Sequence, residues 1–308
     1  MKRSLKVLIF VFVLINILAY SHSYHFTHFS NDDKDKTKDP HHLTLSEKAR
    51  TLLLGVHNPR PRNMSEPSRP YETITIQSNK RLECWLINMS DSKGTVILFH
   101  GYGGQKSALL DKADIFLKLG YNTLLVDFKG SGRSEGNQTT IGYSESIEVK
   151  DCFDFIKSRG EKNIYLFGTS MGAVAILKSL YDYSFDPTAI IIECPFGSMY
   201  QTVCARFHMM NIPTFPMAGL LVFWGGIQNG FWAFGHNPTK YAKRIKSPTL
   251  LMYGSQDEKV SREEIDAIFE NINGPKQLKI YPLAGHENYL NRYKSEWAED
   301  ISLFLKSY

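Results

Sequence analysis

The segment that decides the fold is Gly168-Thr169-Ser170-Met171-Gly172, which lies between the apolar run Asn163-Ile164-Tyr165-Leu166-Phe167 and a helix-forming stretch that begins at Ala173. This order predicts a strand, a sharp turn and a helix, with Ser170 lifted above the sheet edge where a base can reach its hydroxyl. Glycine is the least costly residue at positions 168 and 172, on either side of the turn, because a side chain there would crowd a strained backbone. The pattern alone also fits an ordinary glycine-rich turn, so its interpretation depends on the rest of the chain.

A second glycine-rich loop, His100-Gly101-Tyr102-Gly103-Gly104, directly follows the apolar run Thr95 to Phe99. Its glycines let the backbone approach a bound molecule closely. We therefore predict that the N–H groups of Tyr102 and Met171 form an oxyanion hole. His100 is predicted to hold the loop by hydrogen bonds, since no second His or Cys lies at metal-ligand spacing.

An acid and a histidine follow later, each at the end of a predicted strand. Asp257 lies in the polar turn after the apolar run that ends at Gly254, and His286 lies between the last strand and the last helix. Together with Ser170 they give the chain order Ser, Asp, His. In such a triad the histidine takes the serine proton and the acid orients the imidazole.

Two other carboxylates compete with Asp257 for the role of the acid. Glu258 is its direct neighbour, and we expect it to face solvent. Glu193 ends the apolar run Ile190 to Ile192 and is the second choice. A third acid, Asp127, is predicted to brace the turn Gly130 to Arg133 by accepting hydrogen bonds from its backbone, with the Arg133 guanidinium as a further donor.

These motifs carry a resemblance that covers about three quarters of the chain, from Tyr71 to the C-terminus. The sequence resembles the α/β-hydrolase superfamily, and within it the serine aminopeptidase-like and monoacylglycerol lipase-like hydrolases. The matching segments are His100 to Gly103, Asp127 with Gly130 to Ser134, Gly168 to Gly172, Gly254 to Asp257, and Gly285-His286. The resemblance implies that fold and a serine mechanism, but it says little about the substrate because one fold hosts many chemistries.

The hydrophobic pattern agrees with this fold independently. Glu72 to Gln77 and Arg81 to Asn88 read as a hairpin, and four later apolar runs read as strands buried on both faces: Thr95 to Phe99, Asn122 to Val126, Asn163 to Phe167 and Ala189 to Ile192. Helical patterns lie between them. We therefore predict an α/β fold with a mostly parallel eight-stranded sheet flanked by helices and a small apolar cap after the sixth strand.

The predicted cap, residues 195–238, is rich in aromatic residues and methionine and contains no Asp or Glu. Large, soft side chains of this kind line apolar clefts, but they also pack helices onto a sheet, and the sequence supports both interpretations equally. The candidates for a substrate-binding, acyl-accepting pocket are Phe196, Met199, Met210, Phe223 and Trp224.

The N-terminus carries a separate signal. Lys2, Arg3 and Lys6 precede a fourteen-residue apolar stretch, Val7 to Tyr20, which only Asn16 interrupts. This pattern predicts an export signal, residues 1–23, that is cleaved after Ser21 or Ser23 or is kept as a membrane anchor. Residues 24–70 are predicted to be a polar tether with a short helix over 43–54, and residues 71–308 the hydrolase domain. The expected location is periplasmic or extracellular.

Charge and cysteine usage narrow the class further. The net charge of +5 falls to +2 without Lys2, Arg3 and Lys6, which is too little to argue for a nucleic-acid partner. The four cysteines have no metal or framework spacing, so buried thiols are expected, with a disulfide between Cys194 and Cys204 as the alternative in an oxidising compartment. No metal or cofactor is implied.

Taken together, the sequence predicts a serine hydrolase that cleaves small-molecule esters or lipids through an acyl-enzyme. Thioesters and peptides use the same triad and stay open as substrates. Peptide recognition at a free amine calls for a carboxylate in the cap, which residues 195–238 lack. A protein of another class, a catalytically idle hydrolase fold that binds a lipid or a partner, is the remaining alternative.

Overall fold

The computed structural model describes residues 2–32, 35–38 and 43–308, and these residues form ten α-helices and eight strands. The helices are α1 (Lys2–Thr27), α2 (Leu45–Leu54), α3 (Leu110–Lys118), α4 (Glu145–Ser158), α5 (Met171–Asp182), α6 (Met199–Met209), α7 (Met217–Gln228), α8 (Pro238–Tyr241), α9 (Arg262–Asn271) and α10 (Leu290–Leu305). The strands are β1 (Glu72–Gln77), β2 (Arg81–Ile87), β3 (Thr95–Phe99), β4 (Asn122–Val126), β5 (Ile164–Thr169), β6 (Ala189–Glu193), β7 (Thr249–Gly254) and β8 (Lys276–Tyr281).

All eight strands belong to one sheet with the order β1-β2-β4-β3-β5-β6-β7-β8. β2 pairs antiparallel with β1 and with β4, and every other pairing is parallel. The central strands β3, β6 and β7 are buried along their whole length, as uninterrupted apolar runs covered on both faces should be. The predicted eight-stranded, mostly parallel sheet flanked by helices is confirmed.

The core on one face of the sheet centres on α10. The indole of Trp297 is fully buried and packs edge-on against Phe116 of α3 and Phe167 of β5, with ring centroids 5.9 and 6.1 Å apart. Edge-to-face aromatic contacts of this kind add to the free energy gained from apolar burial. The last helix is therefore fixed to the centre of the sheet, close to the strand that leads into Ser170.

The described residues pack as two compact units. Arg60–Gly197 and Pro238–Tyr308 form the sheet unit, and the described residues up to Pro59 together with Ser198–Asn237 form the other. The prediction instead began the hydrolase domain at residue 71. The boundary at residue 71 stays a prediction; in the structure, Arg60 donates through Nε to the Gly132 carbonyl (3.1 Å) and Asn63 donates to Asp127 (2.8 Å) within the sheet unit.

The unit that contains the N-terminus has more helix than was predicted for the tether, residues 24–70. α1 continues through Thr27, and α2 is close to the predicted short helix, with a capping box between Thr44 and Glu47 at its start. Residues 33, 34 and 39–42 of the predicted tether lie outside the described residues. Helices α6, α7 and α8 occupy the chain between β6 and β7, where the cap was predicted.

All four cysteines are free thiols in the structure, so the alternative disulfide between Cys194 and Cys204 is not formed. Cys84, Cys152 and Cys194 are buried, in agreement with the expectation of buried thiols.

Candidate active site

Ser170 lies on the predicted turn between β5 and α5, in a backbone conformation with φ 51° and ψ −109° that side chains other than glycine rarely adopt. Its N–H donates to the Glu193 carbonyl at the end of β6 (2.8 Å), which helps to hold the turn.

The glycines on either side of Ser170, Gly168 and Gly172, are required by close packing. A Cβ at Gly168 would come within 2.6 Å of the Ala173 nitrogen, and one at Gly172 within 2.3 Å of the Phe99 carbonyl oxygen.

Ser170, His286 and Asp257 form one chain of hydrogen bonds. His286 Nδ1 lies 2.7 Å from Asp257 Oδ2, and His286 Nε2 lies 3.0 Å from Ser170 Oγ. A carboxylate oxygen only accepts, so Nδ1 carries the proton and donates to Asp257. Nε2 then has a free lone pair and accepts from the Ser170 hydroxyl. Ser170 and His286 are 116 positions apart in the chain, and Asp257 and His286 are 29 positions apart, so only the fold brings the three residues together.

The loop that carries Asp257 is held rigidly by its own backbone. Asp257 Oδ1 accepts from the N–H groups of Lys259 (2.8 Å) and Val260 (3.0 Å), which leaves Oδ2 directed at His286. The N–H of Gln256 donates to the Ala284 carbonyl (2.8 Å), so this loop is also tied to the loop that precedes His286. These contacts fix the distance between acid and imidazole before any substrate binds.

Glu193, the second choice for the acid, is bound elsewhere. Both of its carboxylate oxygens lie 2.7 Å from Lys112 Nζ, and Oε1 also accepts from the Trp297 indole (2.7 Å). The Thr169 hydroxyl donates to Oε2 (2.9 Å). Glu193 is fully buried and its oxygens already have strong donors, so it serves as a structural ion pair beneath the site. Glu258 is exposed, as expected.

The two predicted oxyanion donors lie at the start of α5 and in the loop after β3. Met171 opens α5, where N–H groups have no acceptor within their own helix. Tyr102 lies in a tight turn that is closed by a hydrogen bond from Gly104 N–H to the Gly101 carbonyl (3.1 Å), and Gly103 has the positive φ, 64°, that this turn requires.

His100 holds this loop in the predicted way. It donates from Nδ1 to the Gly101 carbonyl (2.8 Å) and accepts at Nε2 from the Phe128 N–H (3.2 Å). Burial lowers the pKa of His100, so the imidazole stays neutral and can both donate and accept.

The predicted brace at Asp127 exists, but its cation is a different residue. Asp127 is fully buried and accepts from the backbone N–H groups of Lys106 (2.7 Å) and Arg133 (3.2 Å). The charged partner is the Lys106 ammonium, which also contacts Glu83 (2.9 Å). Sequence inspection missed Lys106 because nothing in a single buried lysine signals its partner 21 positions away.

A cavity of about 210 Å³ in the sheet unit adjoins the imidazole of His286. Its walls include Gly101, Thr169, Cys194 and Asn288. The ligand atoms of Cys194, Asp257 and His286 lie within 4.8 Å of one another, a grouping that the sequence did not reveal. Burial, with Asp257 and Glu193 nearby, raises the pKa of Cys194 well above the ordinary value, so the thiol stays protonated and unreactive.

The five predicted substrate-binding residues have different surroundings. Phe196 and Met199 are buried, and Met210 is half-buried at the end of α6. Phe223 and Trp224 lie side by side on α7, and the indole of Trp224 contacts α1. None of the five is among the residues that line the cavity at His286. Their role in substrate binding stays a prediction.

Comparison with known proteins agrees with this geometry. The family model described as serine aminopeptidase, S33, matches residues 90–222, which include the Tyr102 loop and the Ser170 turn. The chain is 26% identical to the Pyrococcus furiosus esterase Pf2001, whose structure aligns over 81% of this chain and 98% of that chain with a TM-score of 0.67.

Two curated relatives are similar over most of the chain. An uncharacterized protein of Bacillus subtilis, YqkD, is 25% identical over 219 residues, which are 70% of this chain and 72% of the relative. The lysophosphatidylserine lipase ABHD12 of Danio rerio is 26% identical over 227 residues, which are 69% of this chain and 53% of the relative. The chain thus spans about half the length of that lipase.

The sheet, the turn that carries Ser170 and these similarities define a hydrolytic enzyme. The chain has the α/β-hydrolase fold, and the resemblance found in its sequence motifs is confirmed.

Proposed function

We propose that the protein is a serine hydrolase that cleaves carboxylic esters. The observation that carries this proposal is the continuous hydrogen-bond chain from Ser170 through His286 to Asp257. Ser170 Oγ attacks the ester carbonyl while His286 Nε2 takes its proton, and Asp257 stabilises the imidazolium that forms. The imidazolium then protonates the leaving alcohol. Water, activated by the same imidazole, releases the acid from the acyl-enzyme.

The N–H groups of Tyr102 and Met171 are proposed to bind the oxyanion of the tetrahedral intermediate. Both belong to backbone held in place before the reaction, so they need no reorganisation when the negative charge develops. Removal of one such donor typically costs about a hundredfold to a thousandfold in rate.

Esters are favoured over peptides as substrates. Residues 195–238 contain no Asp or Glu that could hold a substrate amine. The similar solved structure is named an esterase and one curated relative a lipase, which supports an ester. The cavity of about 210 Å³ at His286 is smaller than the roughly 300–1,000 Å³ of typical ligand pockets, so we expect short acyl groups to react fastest.

The test uses the full chain in detergent micelles with p-nitrophenyl acetate, butyrate and palmitate, beside a Ser170→Ala variant. We expect hydrolysis of the short esters that is abolished in the variant. A preference for palmitate would instead indicate an acyl pocket at Phe223, Trp224 and the other predicted residues of the insertion between β6 and β7 (the predicted cap, residues 195–238). Absence of turnover with every ester would support the catalytically idle binding protein instead.

Aminopeptidase activity is the second candidate, because the matching family model carries that description. Release of p-nitroaniline from leucine p-nitroanilide that depends on Ser170, without ester turnover, would favour it over the esterase.

The N-terminal segment supports export as part of the proposal. Among the described residues, one helix, Arg3–Thr27, is long and apolar enough to cross a membrane. Basic residues at its start favour a cytoplasmic N-terminus, because positive charge is retained on that side, so the catalytic residues would lie on the periplasmic or extracellular side.

A further inference from the structure

The second half of α1 is docked against α7 of the insertion, within one compact unit. Trp224 Nε1 donates to Asn16 Oδ1 (3.1 Å), and the Trp224 ring packs edge-on against Tyr20 at 5.4 Å. Gln228 accepts from the Ser23 hydroxyl (3.1 Å) and donates to the Tyr20 carbonyl (2.8 Å). A segment that is later removed has no need of four such contacts with the folded enzyme.

The docked face of α1 is built from small residues at helical spacing. Ala19, Ser23 and Thr27 are buried, whereas the large apolar residues from Leu5 to Ile17, apart from the half-buried Ile15, are exposed, Phe12 for example by 67%. Small residues at a helix interface let two backbones approach closely, which is how helices associate within lipid.

Asn16, the polar residue that interrupts the apolar stretch, has its polar groups satisfied. Its side-chain amide donates to the Phe12 carbonyl (2.9 Å), and its oxygen accepts from Trp224. An unpaired amide would be costly in hydrocarbon, so this pairing makes Asn16 compatible with a membrane span.

The depth of α7 follows from the length of α1. A span needs at least about 17 residues, so one that begins at Ser4 ends near Tyr20. Contacts along the two helices rise together in residue number, from Asn16 with Trp224 to Thr27 with Asn229. The start of α7 therefore lies beside the part of α1 that is still inside the bilayer.

The composition of the insertion matches this depth. Residues 207–239 contain no Lys, Arg, Asp or Glu. Large apolar side chains are exposed on α7 and its flanks, among them Phe215 (86%), Ile227 (56%) and Trp232 (62%). Tyr20, Trp224 and Trp232 supply the aromatic residues that are enriched at membrane interfaces.

We propose that α1 is retained in the mature enzyme as a membrane anchor and that α7 lies beside it at the headgroup and acyl-chain boundary. The occupant of the exposed apolar face of α7 is therefore the lipid of one leaflet. The predicted cleavage sites after Ser21 and Ser23 lie inside the docked helix, and a helical segment does not present the extended backbone that a peptidase cuts.

The first test is the mass of the mature chain, isolated from membranes of the producing cell with a C-terminal tag. We expect a chain that still contains α1 and that resists extraction with alkaline carbonate. A chain that begins at His22 or Tyr24 and appears in the soluble fraction would overturn the proposal.

The second test measures tryptophan fluorescence of the full chain in phosphatidylcholine and phosphatidylglycerol vesicles whose acyl chains are brominated near the headgroup. We expect bromine to quench Trp224 and Trp232. The matched control is the double variant Trp224→Phe and Trp232→Phe, which keeps only the buried Trp85 and Trp297 and should lose the bromine-dependent quenching. Equal quenching of both proteins would contradict the placement of α7, and an unquenched protein that crosslinks as a dimer would assign the apolar face to a second copy. Neither readout depends on ester hydrolysis.

Discussion

The ends of β6 and β7 each carry a buried carboxylate on the same edge of the sheet, yet the two acids have opposite surroundings. Glu193, the last residue of β6, is held by Lys112, Trp297 and Thr169. Asp257 after β7 receives only backbone N–H groups at one oxygen and directs the other at His286. Position on the sheet is therefore insufficient to make an acid part of a triad. The acid must also have no lysine or arginine bound to its carboxylate, and one of its oxygens must face the imidazole.

The largest effect should come from Asp257→Asn. The amide keeps the size of the side chain, but its NH₂ group cannot accept from His286 Nδ1, so the imidazole loses the tautomer it needs. We expect kcat for a p-nitrophenyl ester to fall by about four orders of magnitude. Circular dichroism should show an intact fold. Activity within tenfold of the wild type would return the role of the acid to Glu193.

The next largest effect should come from Lys112→Met. This change leaves the buried Glu193 carboxylate without its cation, and the loss of one partner of a buried pair typically costs about 3–5 kcal/mol of unfolding free energy. Urea denaturation of the full chain in micelles measures it. The double variant Lys112→Met with Glu193→Gln removes the unpaired charge and should recover part of the loss. A single variant as stable as the wild type would contradict the structural role of the pair.

A third buried acid, Glu148, has neither a histidine nor a full set of donors. Burial, with Glu145 nearby, raises the pKa of Glu148 to about 8, and its Oε2 accepts from the Lys129 N–H (2.9 Å). Between its unfolded value of 4.5 and about 8 the folded state keeps a proton that the unfolded chain has lost. Unfolding free energy should therefore fall as pH rises through this window, by up to about 1.4 kcal/mol per pH unit.

The control for this pH dependence is Glu148→Gln, which stays neutral and retains an acceptor for Lys129. Its unfolding free energy, measured by urea denaturation at several pH values, should depend less steeply on pH than that of the wild type. Parallel curves for the two proteins would show that other groups cause the slope.

The smallest effect should come from Glu258→Gln, the matched control for Asp257→Asn. Glu258 is exposed and adjacent in sequence, but its side chain has no part in the hydrogen-bond chain of the site. We expect kcat/KM for p-nitrophenyl butyrate within twofold of the wild type. A loss comparable to that of Asp257→Asn would show that the turn as a whole, and not one carboxylate, orients His286.

The parts of the molecule that could be predicted from sequence are those with a local signal. Continuous apolar runs gave β3 and β4 their observed ends, and glycine spacing gave the turn at Ser170, because each depends on neighbours within a few residues. The order of Ser170, Asp257 and His286 then sufficed to place all three on one edge of a parallel sheet.

The parts that could not be predicted depend on distant partners. Lys112 meets Glu193 across 81 positions, and Trp224 meets Asn16 across 208. The aromatic residues of the insertion suggested an acyl pocket, but the same residue types also dock helices and contact lipid, and composition does not distinguish these surroundings. In the sequence Asn16 only interrupts an apolar stretch, and its hydrogen-bond partner on α7 is visible only in the structure.

The most direct measurement of the central claim is the site at which a fluorophosphonate attaches to the full chain, located by peptide mass spectrometry. Such reagents modify a serine only when a neighbouring base activates it. The account predicts one adduct, on the peptide that contains Ser170, with strongly reduced labelling in the His286→Ala variant. An adduct on another serine, or a chain that stays unlabelled while it hydrolyses esters, would contradict the proposed nucleophile.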